Sequence, residues 1–294
     1  MLTETPNPRS KDIDRRSTLE ILEIMNAEDA TVAHAVRRVL PAIAQAVDVI
    51  TNRFRQGGRL FYVGAGTSGR LGVLDAVECV PTFSVPPDMV QGIIAGGERA
   101  LVQAVEGAED DAEAGRRDLL ARGVSARDVV VGIAASGNTP YVVGALRCAN
   151  EIGAATVGIT CNSPAAVLDT AQIPIPVLVG PEIIAGSTRL KAGTAQKMVL
   201  NMLSTASMIR LGKVYGNLMV DVMVTNRKLA ERARRIVREI TGVSEDEAAR
   251  LLAETDNRVK PAIVMALLGV DAEEARSLLE AAEGRLGAVI PARE

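Results

Sequence analysis

Two short segments rich in glycine and hydroxyl residues carry the side chains best suited to bind a charged ligand. They span residues 63–70 and 135–140, and their polar side chains include Thr67, Ser68, Ser136, Asn138 and Thr139. Each segment follows an apolar run and precedes a helical pattern, so each is expected to present backbone N–H groups at a helix start, where anions bind. Hydroxyl groups add donors without adding charge. The residue types therefore predict a cradle for the phosphate group of a small molecule.

A parallel sheet is needed to bring the two segments together. From residue 59 onward, apolar runs predict strands over 59–64, 90–95, 128–134, 155–160 and 173–179, with helices near 69–79, 98–122 and 139–152. Strands that are apolar throughout are typical of a parallel sheet covered on both faces. We therefore predict a doubly wound α/β fold with a five-stranded parallel sheet, in which ligands bind at the carboxyl ends of the strands. Both polar segments lie at that edge.

The remaining parts of the chain are predicted to be helical. Residues 1–16 are polar and expected to be loose, although Asn7, Ser10 and Asp14 could cover a site. Apolar spacing predicts two helices within 17–56, a long helix to about 211, another helix over about 225–241, and three short amphipathic helices over 243–290. We expect three parts: an N-terminal helical segment (1–56), the α/β domain (57–241) and a small helical bundle (242–294).

The composition excludes several classes of function. The 294 residues include 33 basic and 36 acidic ones, a net charge of −3, which argues against broad nucleic-acid binding. The single histidine, His34, argues against a histidine triad or a His-rich metal site. The three cysteines form neither a metal pattern nor a disulfide pattern. Without an apolar run of ~18 residues or a secretion pattern, the chain is expected to be cytoplasmic.

The glycines of the first segment also match a dinucleotide fingerprint. Gly64, Gly66 and Gly69 have the G-x-G-x-x-G spacing, but the acidic residue that would bind the ribose, Glu98, comes about ten residues later than that motif requires. The hydroxyls between these glycines suit a phosphate monoester better. A purely structural glycine turn remains an alternative for the first segment, and a plain helix N-cap remains one for the second.

Four charged residues are further candidates for the site. Glu78 ends the helix that follows the first segment, where an acid is disfavoured by the helix dipole, which suggests a functional reason for it. Glu109 lies in an acidic stretch, and its spacing alone is typical of a solvated charge. Glu182 and Lys191 flank a third polar loop before the long helix. Lys191 could neutralise a phosphate or sugar oxygen, or it could be a surface lysine.

Several long motifs resemble those of a known family. They cover residues 13–20, 26–29, 64–76, 105–110, 185–197 and 216–221. In these motifs, and from about residue 12 to the end, the chain resembles the N-acetylmuramic acid 6-phosphate etherase family. The resemblance implies a sugar-isomerase (SIS) fold that resembles flavodoxin, a homodimer, and no metal or nucleotide cofactor. It also implies a role in the recycling of peptidoglycan amino sugars.

The resemblance also implies a reaction and a set of site residues. Enzymes of this family cleave the D-lactyl ether of N-acetylmuramic acid 6-phosphate with water, giving N-acetylglucosamine 6-phosphate and D-lactate. The family's two implicated glutamates fall on Glu78 and Glu109, although Val80 stands where the family pattern usually has a proline. By resemblance of fold, the phosphate is expected at the second segment and the sugar at the first, with the contacts Ser136, Asn138, Thr139, Thr67 and Ser68.

Two carboxylates suit this chemistry. In the open-chain sugar, the C2 proton is α to an aldehyde and a base can remove it, whereupon the lactyl oxygen leaves C3 and water adds back. A glutamate that protonates the leaving oxygen at neutral pH needs burial or a like charge nearby, because an ordinary glutamate titrates near pH 4.3. The uncharged neighbours of Glu78 favour it as the acid, and Glu109, inside an acidic cluster, could be the base or could return the water. A non-catalytic sugar-phosphate sensor, like the related glucokinase regulatory protein, and an aldose–ketose isomerase are the alternatives.

Overall fold

The computed structural model describes residues 1–224 and 226–290. The chain packs as two compact units. The first consists of Met1–Val77 and Pro87–Ser204, and the second consists of Glu78–Pro86 and the chain from Thr205 onward. The three-part division expected from the sequence stays a prediction.

A five-stranded parallel sheet forms the centre of the first unit. Its strands are β1 (Leu60–Gly64), β2 (Val90–Ile94), β3 (Val129–Ala134), β4 (Ala155–Thr160) and β5 (Ile173–Pro176), in the order β2-β1-β3-β4-β5. The chain leaves β1 towards one side of the sheet and returns at β3 to build the other side. The boundary between β1 and β3 is therefore the switch point at which ligands bind in doubly wound folds. The predicted fold class is confirmed.

Helices surround this sheet because its strands are apolar on both faces. They are α1 (Thr18–Asp29), α2 (Val32–Arg37), α3 (Leu40–Arg55), α4 (Gly66–Phe83), α5 (Arg99–Val102), α6 (Ala112–Ala121), α7 (Pro140–Ile152), α8 (Ala166–Thr170) and α9 (Lys191–Arg210). All residues of β1, β3 and β4 are buried. One core joins sheet residues such as Phe61 and Val130 to Tyr141 and Leu146 of α7. Within the described residues, no helix is both long and apolar enough to cross a membrane.

Four local predictions were wrong. The helix expected over 69–79 continues to Phe83, so Glu78 lies inside the helix and not at its C-terminal end. The helix expected over 98–122 is interrupted, because Gly107 adopts a positive φ of 73° and Asp111 caps a new helix by accepting from the Ala114 N–H. Residues 17–56 form three helices rather than two, because Pro41, within the first two positions of α3, has no N–H with which to continue α2. The first 16 residues are not loose: they form three 3₁₀ turns, Leu2–Glu4, Pro8–Ser10 and Ile13–Arg15.

Besides the last residues of α4 and α9, the described residues of the second unit form four further helices, a hairpin and a 3₁₀ turn, Leu286–Ala288. The helices are α10 (Arg227–Thr241), α11 (Glu245–Glu254), α12 (Val259–Leu268) and α13 (Ala272–Ala281), and the hairpin joins β6 (Val214–Tyr215) to β7 (Leu218–Met219). The four helices share one core, which includes Ile236, Leu252, Ile263 and Leu279. Ser244 caps α11 by accepting from the Glu247 N–H, as its position before three acidic residues predicts. Among the described residues of this unit, the hairpin and the 3₁₀ turn have no counterpart in the sequence-based expectation.

Candidate active site

The two glycine- and hydroxyl-rich segments follow neighbouring strands. Parallel pairing aligns Gly64, the last residue of β1, with Ile133, the penultimate residue of β3. Adjacent strands lie ~4.8 Å apart, so the segments that leave them start side by side at the carboxyl edge. They flank the switch point of the sheet on its two sides. The sequence-based expectation that the two segments share one edge is confirmed.

Close backbone packing explains the glycines of the first segment. A Cβ on Gly64 would lie 2.7 Å from the Gly69 nitrogen, and one on Gly69 would lie 2.6 Å from Cγ1 of Ile94. Gly66 has a positive φ of 52°, which favours glycine. The strand therefore turns directly into α4, whose first N–H groups have no partner within the helix and can face an anion.

Helix α9 contacts the start of α4 through a polar pair. Ser68 is buried, and its hydroxyl donates to Oε1 of Gln196 at 2.9 Å. One turn earlier on α9, a Cβ on Gly193 would lie 3.5 Å from the methyl carbon of Thr67. Both hydroxyl residues of the first segment therefore lie against α9, and the hydrogen of Ser68 is committed to a protein acceptor.

The second segment is braced from the side of α8. Gly137 has a positive φ of 80°, and a Cβ there would lie 2.4 Å from Cβ of Ala165. Oδ1 of Asn138 accepts from the Ala166 N–H at 3.0 Å, although Asn138 itself is exposed. Ser136 accepts from the Asn138 N–H at 3.3 Å, which leaves its own hydrogen available to donate. Thr139 holds the N-cap position of α7 without a capping bond from its side chain to any described residue.

Glu182 and Lys191 both belong to the start of α9. The carboxylate of Glu182, fully buried, accepts from the N–H groups of Lys191 and Ala192, both at 2.9 Å. Glu182 thus caps α9 and complements the positive end of its dipole. Lys191 is 1% exposed, so the alternative of a surface lysine is wrong. A contact of either side chain with substrate stays a prediction.

A buried ion pair ties Lys191 to the N-terminal part of the chain. Its Nζ donates to Oε2 of Glu28 at 2.6 Å, and Glu28 also accepts from Nδ2 of Asn7 and pairs with Arg9. Burial raises the pKa of Glu28, but the hydrogen bonds from Lys191 and Asn7 outweigh it, so that pKa lies below its usual range. The start of α9 is therefore held by fully paired charges.

The N-terminal 3₁₀ turns reach the same edge of the sheet. The Thr3 N–H donates to Oδ1 of Asn162, and Nδ2 of Asn162 donates to the carbonyl of Ala135, directly before Ser136. Ser10 donates to the carbonyl of Ile183 at 2.6 Å. Asn7 and Ser10 thus contact the loop before α9, while the expectation that they and Asp14 cover a site stays a prediction.

The two candidate catalytic glutamates are both exposed. Glu109 lies in a 3₁₀ turn, Ala108–Asp110, directly after Gly107. Glu78 lies on α4, whose neighbouring apolar residues Leu74 and Val77 are 52% and 60% exposed. The residues beside Glu78 on its helix are apolar, as expected. The Glu78 side chain itself, however, is not buried within the single chain.

Sequence reasoning missed three polar residues that organise this region. Gln196 contacts Ser68, Asn162 supports Ala135, and the buried Asp75 accepts from Tyr62, Asn201 and Ser204. Asp75 and Gln196 lie within the family-like motifs 64–76 and 185–197, but the sequence does not indicate their partners, and Asn162 follows β4 in a loop with no helical or strand pattern to mark it. Within residues 1–224 and 226–290, no group of three or more His, Cys, Asp or Glu residues could hold a metal ion.

Three family models match this chain. Residues 42–150 match the glucokinase regulatory protein N-terminal SIS domain, residues 110–206 match the SIS domain, and residues 216–257 match the C-terminal lid domain of glucokinase regulatory protein. Among solved structures, the fold is similar to that of phosphoheptose isomerases. That from Francisella tularensis has a TM-score of 0.53 and 19% identity over 66% of this chain and 100% of its own. The phosphoheptose isomerase from Neisseria gonorrhoeae has a TM-score of 0.50 and 16% identity, and the match covers 65% of this chain and 98% of its own.

Curated relatives are similar over nearly the whole chain. N-acetylmuramic acid 6-phosphate etherases from Yersinia pestis (strain Pestoides F) and Yersinia pseudotuberculosis serotype O:1b (strain IP 31758) are each 57% identical over 290 residues. These alignments cover 99% of this chain and 98% of each relative. Such identity, together with the SIS domain and its two glycine-rich segments, shows that the chain is an enzyme that belongs to the N-acetylmuramic acid 6-phosphate etherase family.

Proposed function

We propose that this enzyme hydrolyses the D-lactyl ether of N-acetylmuramic acid 6-phosphate to N-acetylglucosamine 6-phosphate and D-lactate. The observation that carries the proposal is 57% identity to the etherases over 99% of the chain. The position of the two polar segments, at neighbouring strand ends of a SIS fold, supports a phosphorylated sugar as the ligand. An isomerase or a sugar-phosphate sensor would share the fold but not this degree of identity.

The proposed reaction is an elimination followed by a hydration. A base removes the C2 proton of the open-chain sugar, and its electron pair forms the C2–C3 double bond as the C3–O bond breaks. An acid gives a proton to the departing lactyl oxygen. Water then adds at C3 and a proton returns to C2, so one water is consumed in all. General acid–base catalysis of this kind contributes about 10²–10⁴-fold per group.

Glu78 and Glu109 are the proposed acid and base. The acid role at neutral pH needs burial, and Glu78 is exposed within the single chain. We therefore assign its burial to a second copy of the chain, which would cover the exposed apolar face of α4 at Leu74 and Val77. This is the proposed homodimer, and a charge on that face, as in Val77→Glu, should yield monomers in light scattering. Undiminished dimers would refute this arrangement.

Substrate contacts are proposed for both segments and for the loop before α9. The phosphate would accept from Ser136, Asn138 and Thr139, while Thr67 and Ser68 would face the sugar. Ser136 supports this assignment, because its hydroxyl already accepts a bond and keeps its hydrogen for a ligand. Glu182 would hold the start of α9 in place by capping it, and Lys191 would neutralise a phosphate or sugar oxygen. We also propose a cytoplasmic location, where phosphorylated sugars are retained and where buried thiols such as Cys148 and Cys161 stay reduced.

The direct test is to incubate the protein with N-acetylmuramic acid 6-phosphate in H₂¹⁸O and to analyse both products by mass spectrometry. The proposal requires D-lactate without label and N-acetylglucosamine 6-phosphate with ¹⁸O at C3, located by fragmentation. Label in the lactate would instead show that water attacks the lactyl carbon. Sugar-phosphate binding without lactate release would identify a sensor.

Replacement of the glutamates tests their roles. Glu78→Gln and Glu109→Gln should each lower kcat for lactate release by about 10²–10⁴-fold, because the amide neither gives nor takes the proton. Glu106→Gln is the matched control, since it changes an exposed glutamate close to Glu109. A wild-type rate for either test variant would remove that residue from the chemistry.

A further inference from the structure

The contact between Ser68 and Gln196 leaves one buried polar group without a partner. Gln196 is 1% exposed, and its Oε1 accepts the Ser68 hydroxyl hydrogen at 2.9 Å. Among the described residues, its Nε2 is buried and has no hydrogen-bond partner. A buried donor that is left unpaired costs about 1–3 kcal/mol. This carboxamide lies beside the third residue of α4, at the helix start that faces the switch point.

The direction of this hydrogen bond decides what Ser68 can offer a ligand. A serine hydroxyl has one hydrogen, and in the structure that hydrogen points to Oε1 of Gln196. Ser68 can then only accept from a ligand. If the carboxamide turns by half a rotation, Nε2 takes the position of Oε1 and donates to Oγ of Ser68. The hydroxyl hydrogen is then released towards the site.

A negatively charged ligand favours the second arrangement. In it, Nε2 gains Oγ of Ser68 as its acceptor while Oε1 takes the unpaired position, and Ser68 donates to the ligand a charge-assisted hydrogen bond, which is stronger than a bond between neutral groups. Without a ligand, the first arrangement satisfies the Ser68 hydrogen inside the protein. Glu182 caps the start of α9 and so holds Gln196 beside Ser68 in both cases.

We propose that Gln196 is a positioning residue whose carboxamide turns over when an anionic sugar phosphate binds, which converts Ser68 from an acceptor into a donor towards that ligand. The inference rests on the proposed function for the class of ligand, but it concerns binding and not the chemical step. Ser136, whose hydroxyl accepts from the Asn138 N–H, needs no such change. The two segments therefore differ in how their serines become donors.

Binding of N-acetylglucosamine 6-phosphate, measured by calorimetry, tests this inference in the full-length protein. In Q196E a carboxylate can only accept, so it holds the Ser68 hydrogen and should weaken binding about tenfold, the size of one hydrogen bond to a charged group. Q196M releases that hydrogen and should bind more tightly than Q196E. If the pair merely joins two helices, Q196E preserves the contact and the order of the two affinities is reversed, which would overturn the inference.

A double-mutant comparison separates this effect from simple charge repulsion. In an S68A background, the introduced carboxylate has no serine hydrogen to hold, so Q196E should cost little further affinity. An equal loss with and without Ser68 would mean repulsion of the phosphate, and the inference would be wrong. Thermal unfolding of each variant establishes that it is folded.

A second readout uses the unmodified protein, in case Q196E does not fold. The side-chain ¹⁵N signal of Gln196, assigned by its disappearance in Q196M, should shift on titration with N-acetylglucosamine 6-phosphate. A signal that does not shift at saturation would overturn the inference. If the enzyme releases lactate but Q196E binds more tightly than Q196M, only this inference is refuted. If Q196M binds more tightly than Q196E but no lactate is released, only the proposed reaction is refuted.

Discussion

The two ends of the strands in the central sheet, here called its amino edge and its carboxyl edge, use polar side chains in opposite ways. At the amino edge, directly before β1 and β3, the carboxylate of Asp128 is almost fully buried and fully engaged. It accepts from the N–H groups of Arg59 at 2.8 Å and Ser125 at 2.7 Å, and it pairs with the Arg59 guanidinium at 3.0 Å. Burial raises the pKa of Asp128, but these donors outweigh it and hold that pKa below its usual range.

At the carboxyl edge, polar groups are held in place but are not all paired. Ser136 accepts one bond and keeps its hydrogen, and Nε2 of Gln196 has no partner within the described chain. Both edges belong to the same strands, so the difference does not come from the sheet. The saturated edge stabilises the unit, whereas the incompletely paired edge is the one at which we propose that the ligand binds.

Removal of the carboxylate at the amino edge should have the largest effect on stability. Asp128→Ala removes the carboxylate that pairs with the Arg59 guanidinium and accepts from the partly buried N–H groups of Arg59 and Ser125, and it should cost about 3–5 kcal/mol in urea unfolding. The KM for substrate of the remaining folded protein should stay unchanged. Asp88→Ala, an exposed carboxylate just before β2, is the control. A raised KM in Asp128→Ala would contradict the division of roles between the edges.

Disruption of the buried ion pair beneath the carboxyl edge should have the next largest effect. Lys191→Met leaves Glu28 buried with Arg9 and Asn7 as its partners, and we expect a loss near the lower end for a broken buried pair, about 3 kcal/mol. Lys197→Met, at an exposed position of the same helix, should be neutral. If Lys191→Met unfolds no more easily than Lys197→Met, the pair does not stabilise the edge.

Two serines, one at each edge, give the sharpest contrast. Ser136→Ala should raise KM for the phosphorylated substrate about tenfold through loss of a charge-assisted bond, with little change in stability. Ser125→Ala removes a donor to Asp128 at 3.0 Å and should lower stability by about 1 kcal/mol without any effect on KM. Steady-state kinetics and urea unfolding of both variants check the two halves of this prediction. An unchanged KM for Ser136→Ala would remove that serine from the site.

The smallest expected effect is a change in the acid dependence of stability. Because the pKa of Glu28 is lowered in the folded chain, its contribution to stability is fully present above the ordinary glutamate pKa of about 4.3 and is lost as the pH falls through the folded value. Between pH 5 and pH 3, the wild type should therefore lose more stability than Glu28→Gln. Urea midpoints at these two pH values provide the measurement, and equal losses would show that Glu28 has no such linkage.

Local rules predict the sheet well and the helical connections less well. The five strand predictions match the observed strands within a few residues, because continuous apolar runs admit few other structures in an α/β pattern. The helix predicted over 98–122 failed, because a left-handed Gly107 and the capping side chain of Asp111 override the helical spacing of the residues around them. Positive φ values and side-chain caps depend on the local path of the backbone, which periodicity does not report.

By itself, the sequence determined the strands, part of the helices, the two segments at the strand ends and the membership of an enzyme family. Apolar periodicity, glycine spacing and long motifs are properties of adjacent residues, so they can be read along the chain. Only the tertiary structure decided that Lys191 is buried against Glu28, that Glu78 is exposed and that Gln196 contacts Ser68. Burial and hydrogen-bond partnership join residues that are more than a hundred positions apart, and they arise only when the helices pack.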